Sequence, residues 1–147
     1  MRKDIKERIL KQNIRALEQA QQVVQTPELS ETSVKECVHL YICFKLYLEP
    51  EECRGMMLFQ MAVKSIEQSI AMKLPLVREG ETAVTCGAAS SEAMKIALLL
   101  TALQKDFRVR LDSKKLGFAR DTETVGCMVW DARKKGRRTD GTVKSLQ

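Results

Sequence analysis

Three residues have the type and the position to do chemistry: Cys86, Ser90 and Ser91. They flank a run of small residues, Cys86-Gly87-Ala88-Ala89-Ser90-Ser91, that leads into an apolar-periodic stretch. A serine at a helix start serves as an N-cap, its oxygen accepting from a free backbone N–H. An exposed hydroxyl there also suits a phosphodiester, because the helix N-terminus presents N–H groups and the positive end of the dipole. The same field favours a thiolate, so Cys86 is a candidate reactive thiol that could carry sulfur or an acyl group directly. No His or Asp/Asn with recognisable spacing accompanies Cys86, so protease-type nucleophilic catalysis has no support. Phosphate-cradling glycine patterns and paired carboxylates in an obvious cleft are missing as well. The chain reads as a protein that is not an enzyme.

The other cysteines are Cys37, Cys43, Cys53 and Cys127, with no CxxC, and the single histidine is His39. A structural zinc site needs four N/S ligands in short-range pairs, so no metal is expected. Cys37, Cys43 and Cys127 read as small apolar core residues, and His39, just beside an apolar stripe, reads as a boundary residue. Five cysteines make an odd number. The first 25 residues lack an apolar signal region, so free thiols and a cytoplasmic location are expected. No run of about 18 apolar residues exists, so no membrane span is expected.

The elements that must position these residues are helical. Residues 3–25 place Leu10, Ile14, Leu17, Ala20 and Val24 at three- and four-residue steps, one stripe of an amphipathic helix stopped by Thr26-Pro27. Ser33-x-x-Glu36 reads as a capping box opening a helix that runs to about Leu48. Glu49-Pro50-Glu51-Glu52 reads as the start of a long helix over 51–73, with Met56, Phe59, Val63, Ile66 and Ile70 on one face. After a loop over 74–90, Ser90 or Ser91 caps a helix carrying Met94, Ala97, Leu98, Leu100, Leu103 and Phe107. The run Ile96 to Leu100 is apolar almost all round, which predicts the most buried helix. Arg108 to Leu111 forms a link, Asp112 to Phe118 makes one or two turns closed by Gly117, and Asp121 or Thr122 caps a last helix. Strand signals are close to absent, so the class is all-α.

A length of 147 residues suits one shared core. The formal charge of +6 comes from 25 basic and 19 acidic side chains, but six of the bases and one acid lie from Arg133 onward. The first 132 residues therefore hold 19 bases and 18 acids. The body is nearly neutral, and the cationic cluster Arg133-Lys-Lys-Gly-Arg-Arg138 belongs to an end with no hydrophobic period.

Residues 50–134 resemble the acyl carrier protein family. The residues that carry the resemblance are Ala102-Leu103-Gln104-Lys105-Asp106-Phe107, where the family has Ala-Leu-Glu-Glu-Glu-Phe, followed by the short link to Leu111 and by Thr124-Val125 in the closing helix. The resemblance implies a long first helix, a long loop, a second helix bearing the carrier serine, a short third helix and a closing fourth. It also implies a 4′-phosphopantetheine arm on that serine. Counting back from Ala102 without gaps lands on Ala93, flanked by Glu92 and Met94, with Ser91 two residues earlier and Ser90 three. A two-residue slip, which moves the helix face, brings Ser91 to that position, so in a working carrier Ser91 is the expected attachment residue and Ser90 the second choice. The family is acidic along this helix, whereas Glu92, Lys95, Lys105 and Asp106 cancel here.

The resulting expectation is an acyl-carrier-like four-helix bundle over 50–134, an N-terminal helical pair over 1–49 packing on it, and a basic disordered tail over 135–147. The function expected is that of a small non-catalytic carrier-like or partner-binding protein, a degenerate acyl carrier being one form of it, that meets a partner enzyme near residues 86–95. The alternatives are a thiol carrier using Cys86 and a nucleic-acid binder using the basic end. Against the second stand the neutral body and the lack of aromatic residues among the cations. The N-terminal helices, or Leu46-Tyr47-Leu48 with the methionines at 56, 57, 61 and 72, are the surfaces a homodimer would use.

Overall fold

The computed structural model describes residues 2–71, 90–117 and 119–146, with side chains described for 4–68, 90–117 and 119–135. These residues form α1 (Arg2–Gln25), α2 (Glu31–Lys45), a 3-10 turn (Pro50–Cys53), α3 (Leu58–Ala71), α4 (Ser91–Phe107), a single-turn α5 (Ser113–Leu116) and α6 (Thr122–Leu146). Among the described residues the only strand-like pairing is the bridge between Met57 and Asp121, so the protein is all-α.

The central helix is α2, which packs extensively against both α1 and α6. It buries Val34, Cys37, Val38, His39, Tyr41, Ile42 and Cys43, whereas α4 buries Leu99, Leu100, Leu103 and Phe107. The expectation that α4 is the most buried helix is therefore corrected. An apolar run is covered only where another element meets it, and Leu98, inside that run, is 45% exposed. One contiguous core runs from Ala16 on α1 to Val129 on α6.

The stripe of α1 also needs correction. Its buried face is Ala16, Ala20 and Val23, while Leu10, Ile14 and Leu17 are 61%, 49% and 42% exposed. The face with the smaller side chains is the one in the core, and the larger ones are left outside.

The cap of α2 lies one turn earlier than Ser33. Ser30 is the N-cap, its Oγ accepting from the Ser33 backbone N–H at 3.2 Å, and Glu36 is used elsewhere. The helix ends at Lys45 instead of continuing to Leu48. Tyr47 takes a left-handed φ of 59°, its N–H reaches the Phe44 carbonyl, and the Leu48 N–H reaches the Cys43 carbonyl at 2.9 Å. This is a Schellman-type end without the usual glycine, and burial of Leu48 accompanies it. α4 closes the same way: Arg108 has φ 55°, and the Val109 N–H bonds the Gln104 carbonyl.

The long helix expected over 51–73 is broken. Pro50 opens only a 3-10 turn, Gly55 takes φ 82°, and α3 starts at Leu58. What competes with helix continuation is tertiary: the Leu58 N–H donates to the Arg120 carbonyl at 2.7 Å, which ties the start of α3 to the residues just before α6.

The last helix starts where expected. Asp121 Oδ1 accepts from the Thr124 N–H at 2.8 Å, and Asp112 caps the short turn closed by Gly117. α6 then continues through Gly136 and Gly141 to Leu146, across the residues expected to form the basic tail. Extending an existing helix avoids the nucleation cost, which is the unfavourable step. Arg133 belongs to the core assembly as well: its guanidinium donates to the carbonyls of Val23 and Thr26, both at 3.2 Å. A cation there satisfies carbonyls left open at the end of α1 and complements its dipole.

Candidate functional site

The start of α4 is the first place to consider. Ser90 is the N-cap, with φ −72° and ψ 165°, and its Oγ accepts from the Ala93 N–H at 3.1 Å. Ser91 is the first helical residue and is exposed, as are Ser90 and Ala93. The hydroxyl of Ser90 is thus used in capping, while that of Ser91 has no hydrogen bond among the described residues. Cys86 lies outside the described residues.

A second place surrounds His39, which is 5% exposed and so not the boundary residue expected. Its Nδ1 lies 2.8 Å from Thr122 Oγ1 and its Nε2 lies 2.9 Å from the Pro50 carbonyl oxygen. A carbonyl only accepts, so neutral His39 carries its proton on Nε2, and Nδ1 accepts from the Thr122 hydroxyl. The arrangement has the form of a nucleophile, a base and an orienting group. Thr122, however, is only 7% exposed, and both ring nitrogens are occupied. Chemically the triad is a joint: it ties α2, the 3-10 turn and the start of α6 together. His39→Ala, which leaves a buried hydroxyl and a carbonyl short of partners, is expected to cost about 2–4 kcal/mol, combining cavity and hydrogen-bond terms. Urea unfolding of the variant measures it, and a loss below about 1 kcal/mol would show that the joint is dispensable.

Above this joint opens a cleft of about 530 Å³ whose rim includes Lys35, Glu36, Arg54 and Glu123. Arg54 grips Glu36 through two nitrogens at 2.9 and 2.7 Å, and also bonds Glu51 at 2.9 Å. The guanidinium beside Glu36 holds its carboxyl below the usual carboxylate range. Arg54 is thereby neutralised, and the two cations and two acids of the rim leave the cleft no net charge to offer a ligand. Glu51 and Arg54 are three apart, so that contact has a sequence signal. The link to Glu36, eighteen residues back, has none.

The buried thiols stay inert. Burial pushes Cys43 up to about 12 and also raises Cys53 and Cys37. Cys37 and Cys43 are core residues as expected, and Cys127 is half-buried instead. Among the described residues no three His, Cys, Asp or Glu side chains are placed to share a metal ion. Nor is any described helix long and apolar enough to cross a membrane.

A third place is a cleft of about 530 Å³ between the link after α4 and α6, with Leu111, Met128 and Ala132 as its apolar lining, Arg110, Lys115 and Lys135 as cations and Asp112 and Asp131 as acids. Arg110 and Lys115 have no ion pair among the described residues, in contrast to Arg54.

Comparison with protein-family models, with curated proteins and with solved structures finds no match for the chain.

Proposed function

We propose that the protein is a small carrier-like or partner-binding helical protein that acts by presenting residues 86–95, at the start of α4, to a partner enzyme, and that it performs no chemistry of its own. The observation that carries this is the exposed Ser91 at the first position of a 17-residue helix, beside a neighbouring serine already used as the cap. The order of elements from Leu58 onward supports a relation to acyl carriers: a helix, a long interval, a helix opened by serine, a single-turn helix and a closing helix. The packing differs from a self-contained four-helix bundle, since α6 rests mainly on α2, so the segment works as part of a larger helical core. If the carrier arm is 4′-phosphopantetheine, Ser91 holds it.

Intact-mass measurement after incubation with coenzyme A and a phosphopantetheinyl transferase tests this. The wild type and Ser90→Ala are expected to gain one phosphopantetheine, and Ser91→Ala none. An unshifted wild type removes the covalent carrier and leaves a binding module. A thiol carrier at Cys86 would instead show as selective alkylation of that residue.

A further inference from the structure

Among the described residues, no other helix exposes three large apolar side chains in one stripe. None of residues 4–15 is fully buried, and the core contacts of this helix begin at Ala16. An isolated helical stretch of that size is marginal in water below about 12–15 residues, so this half of α1 gains little support from its own chain. Yet it carries Leu10 and Ile14, continued by Leu17, all large, apolar and exposed. Beside them runs a shallow groove of about 330 Å³ lined by Glu7, Leu10, Lys11, Ile14, Arg15 and Glu18. Spacings of four and three are those of a coiled-coil seam.

We propose that this face is a homodimer interface in which the α1 helices of two copies pair antiparallel about a two-fold axis. The flanking charges select both the occupant and the register. With Ile14 of each copy facing Leu17 of the other, Lys11 comes opposite Glu18 of the second copy, and Arg15 also lies within reach of it. The two-fold axis repeats each contact, as an isologous interface requires. The next antiparallel register, with Leu10 facing Ile14, sets Lys11 against Lys11. A parallel pair sets Lys6 against Lys11. Both arrangements oppose like charges, so the sequence is self-complementary in one orientation and one register.

Sedimentation equilibrium of the full chain at low salt over a concentration series is the test, with far-UV circular dichroism as a check on folding. The wild type is expected to show a dimer that dissociates on dilution. Ile14→Glu, at an exposed position, is expected to be a folded monomer. Glu18→Lys is expected to weaken the dimer about tenfold, since two attractive contacts become repulsive. The swap Lys11→Glu with Glu18→Lys is expected to recover affinity relative to Glu18→Lys alone. A wild type that is monomeric throughout, or a dimer indifferent to Ile14→Glu, overturns the interface. A swap that recovers nothing overturns the antiparallel register.

Discussion

Tyr41→Ala is expected to lose about 3–5 kcal/mol of folding stability, the cost typical of removing a buried aromatic ring. Tyr41 is fully buried on α2, and its ring meets that of Phe107 edge-on, with centroids 5.0 Å apart and planes at 78°. Its hydroxyl donates to Asp106 Oδ2 at 2.7 Å. Burial, and secondarily the Asp106 carboxylate, raises the phenol's pKa, so the donor proton is retained. Both partners stand in the last turn of α4, so this one side chain joins the central helix to the helix whose other end we propose is presented.

Tyr41→Phe separates the two contributions. It keeps the ring contact and deletes the hydrogen bond, and Asp106, half-exposed, gains water in exchange. A loss of about 1–2 kcal/mol is expected, within the range for a bond to a charged group. Thermal unfolding followed by circular dichroism reads both. A variant with alanine no less stable than the one with phenylalanine would mean that the ring contact contributes nothing.

Gly126 gives the second large effect. A Cβ built there meets Lys35 Cγ at 3.0 Å and Lys35 Cα at 3.1 Å, so α2 and α6 approach with no room for a side chain. Two terms oppose each other in Gly126→Ala. Helix propensity gains about 1 kcal/mol, while crowding a backbone atom costs about 1–3 kcal/mol, so the net change is small and unfavourable. Gly126→Leu keeps the first gain and cannot be housed without moving α6 off α2. An expected loss of about 3 kcal/mol follows, at the upper end of overpacking costs. Equilibrium urea denaturation of the two variants checks the ordering. Equal stability of the leucine variant and the wild type would mean that the helices do not meet at Gly126.

The contrast between these sites shows which information lies in the local sequence. Helix content, the caps at Ser90, Asp112 and Asp121, and the short turn closed by Gly117 are all readable from the chain. Each cap depends on a side chain reaching a backbone group two or three residues away. The candidate serines belong to the same category, because the choice between Ser90 and Ser91 needs only the position of one cap. The ends of α2 and α4 are harder. A left-handed Tyr47 or Arg108 costs about 1–2 kcal/mol locally, and propensity alone gives no reason to place it there.

What the sequence by itself determined, then, is an all-α chain, the serine-led start of α4 and the near-neutral body. These follow from short-range hydrogen bonding, period and charge. Which apolar face of α1 is buried, where the helix expected over 51–73 breaks, and what His39 does were decided only by the tertiary structure. Ala16 and Ala20 are buried where Leu10 and Ile14 are not. His39 became a joint because Thr122, 83 residues away, supplies its donor. Arg133, grouped by sequence with a basic tail, became a cap for α1 because carbonyls more than 100 residues earlier needed donors. Hydrophobic period says that a face is apolar, but burial and hydrogen-bond satisfaction depend on which distant element arrives to cover it.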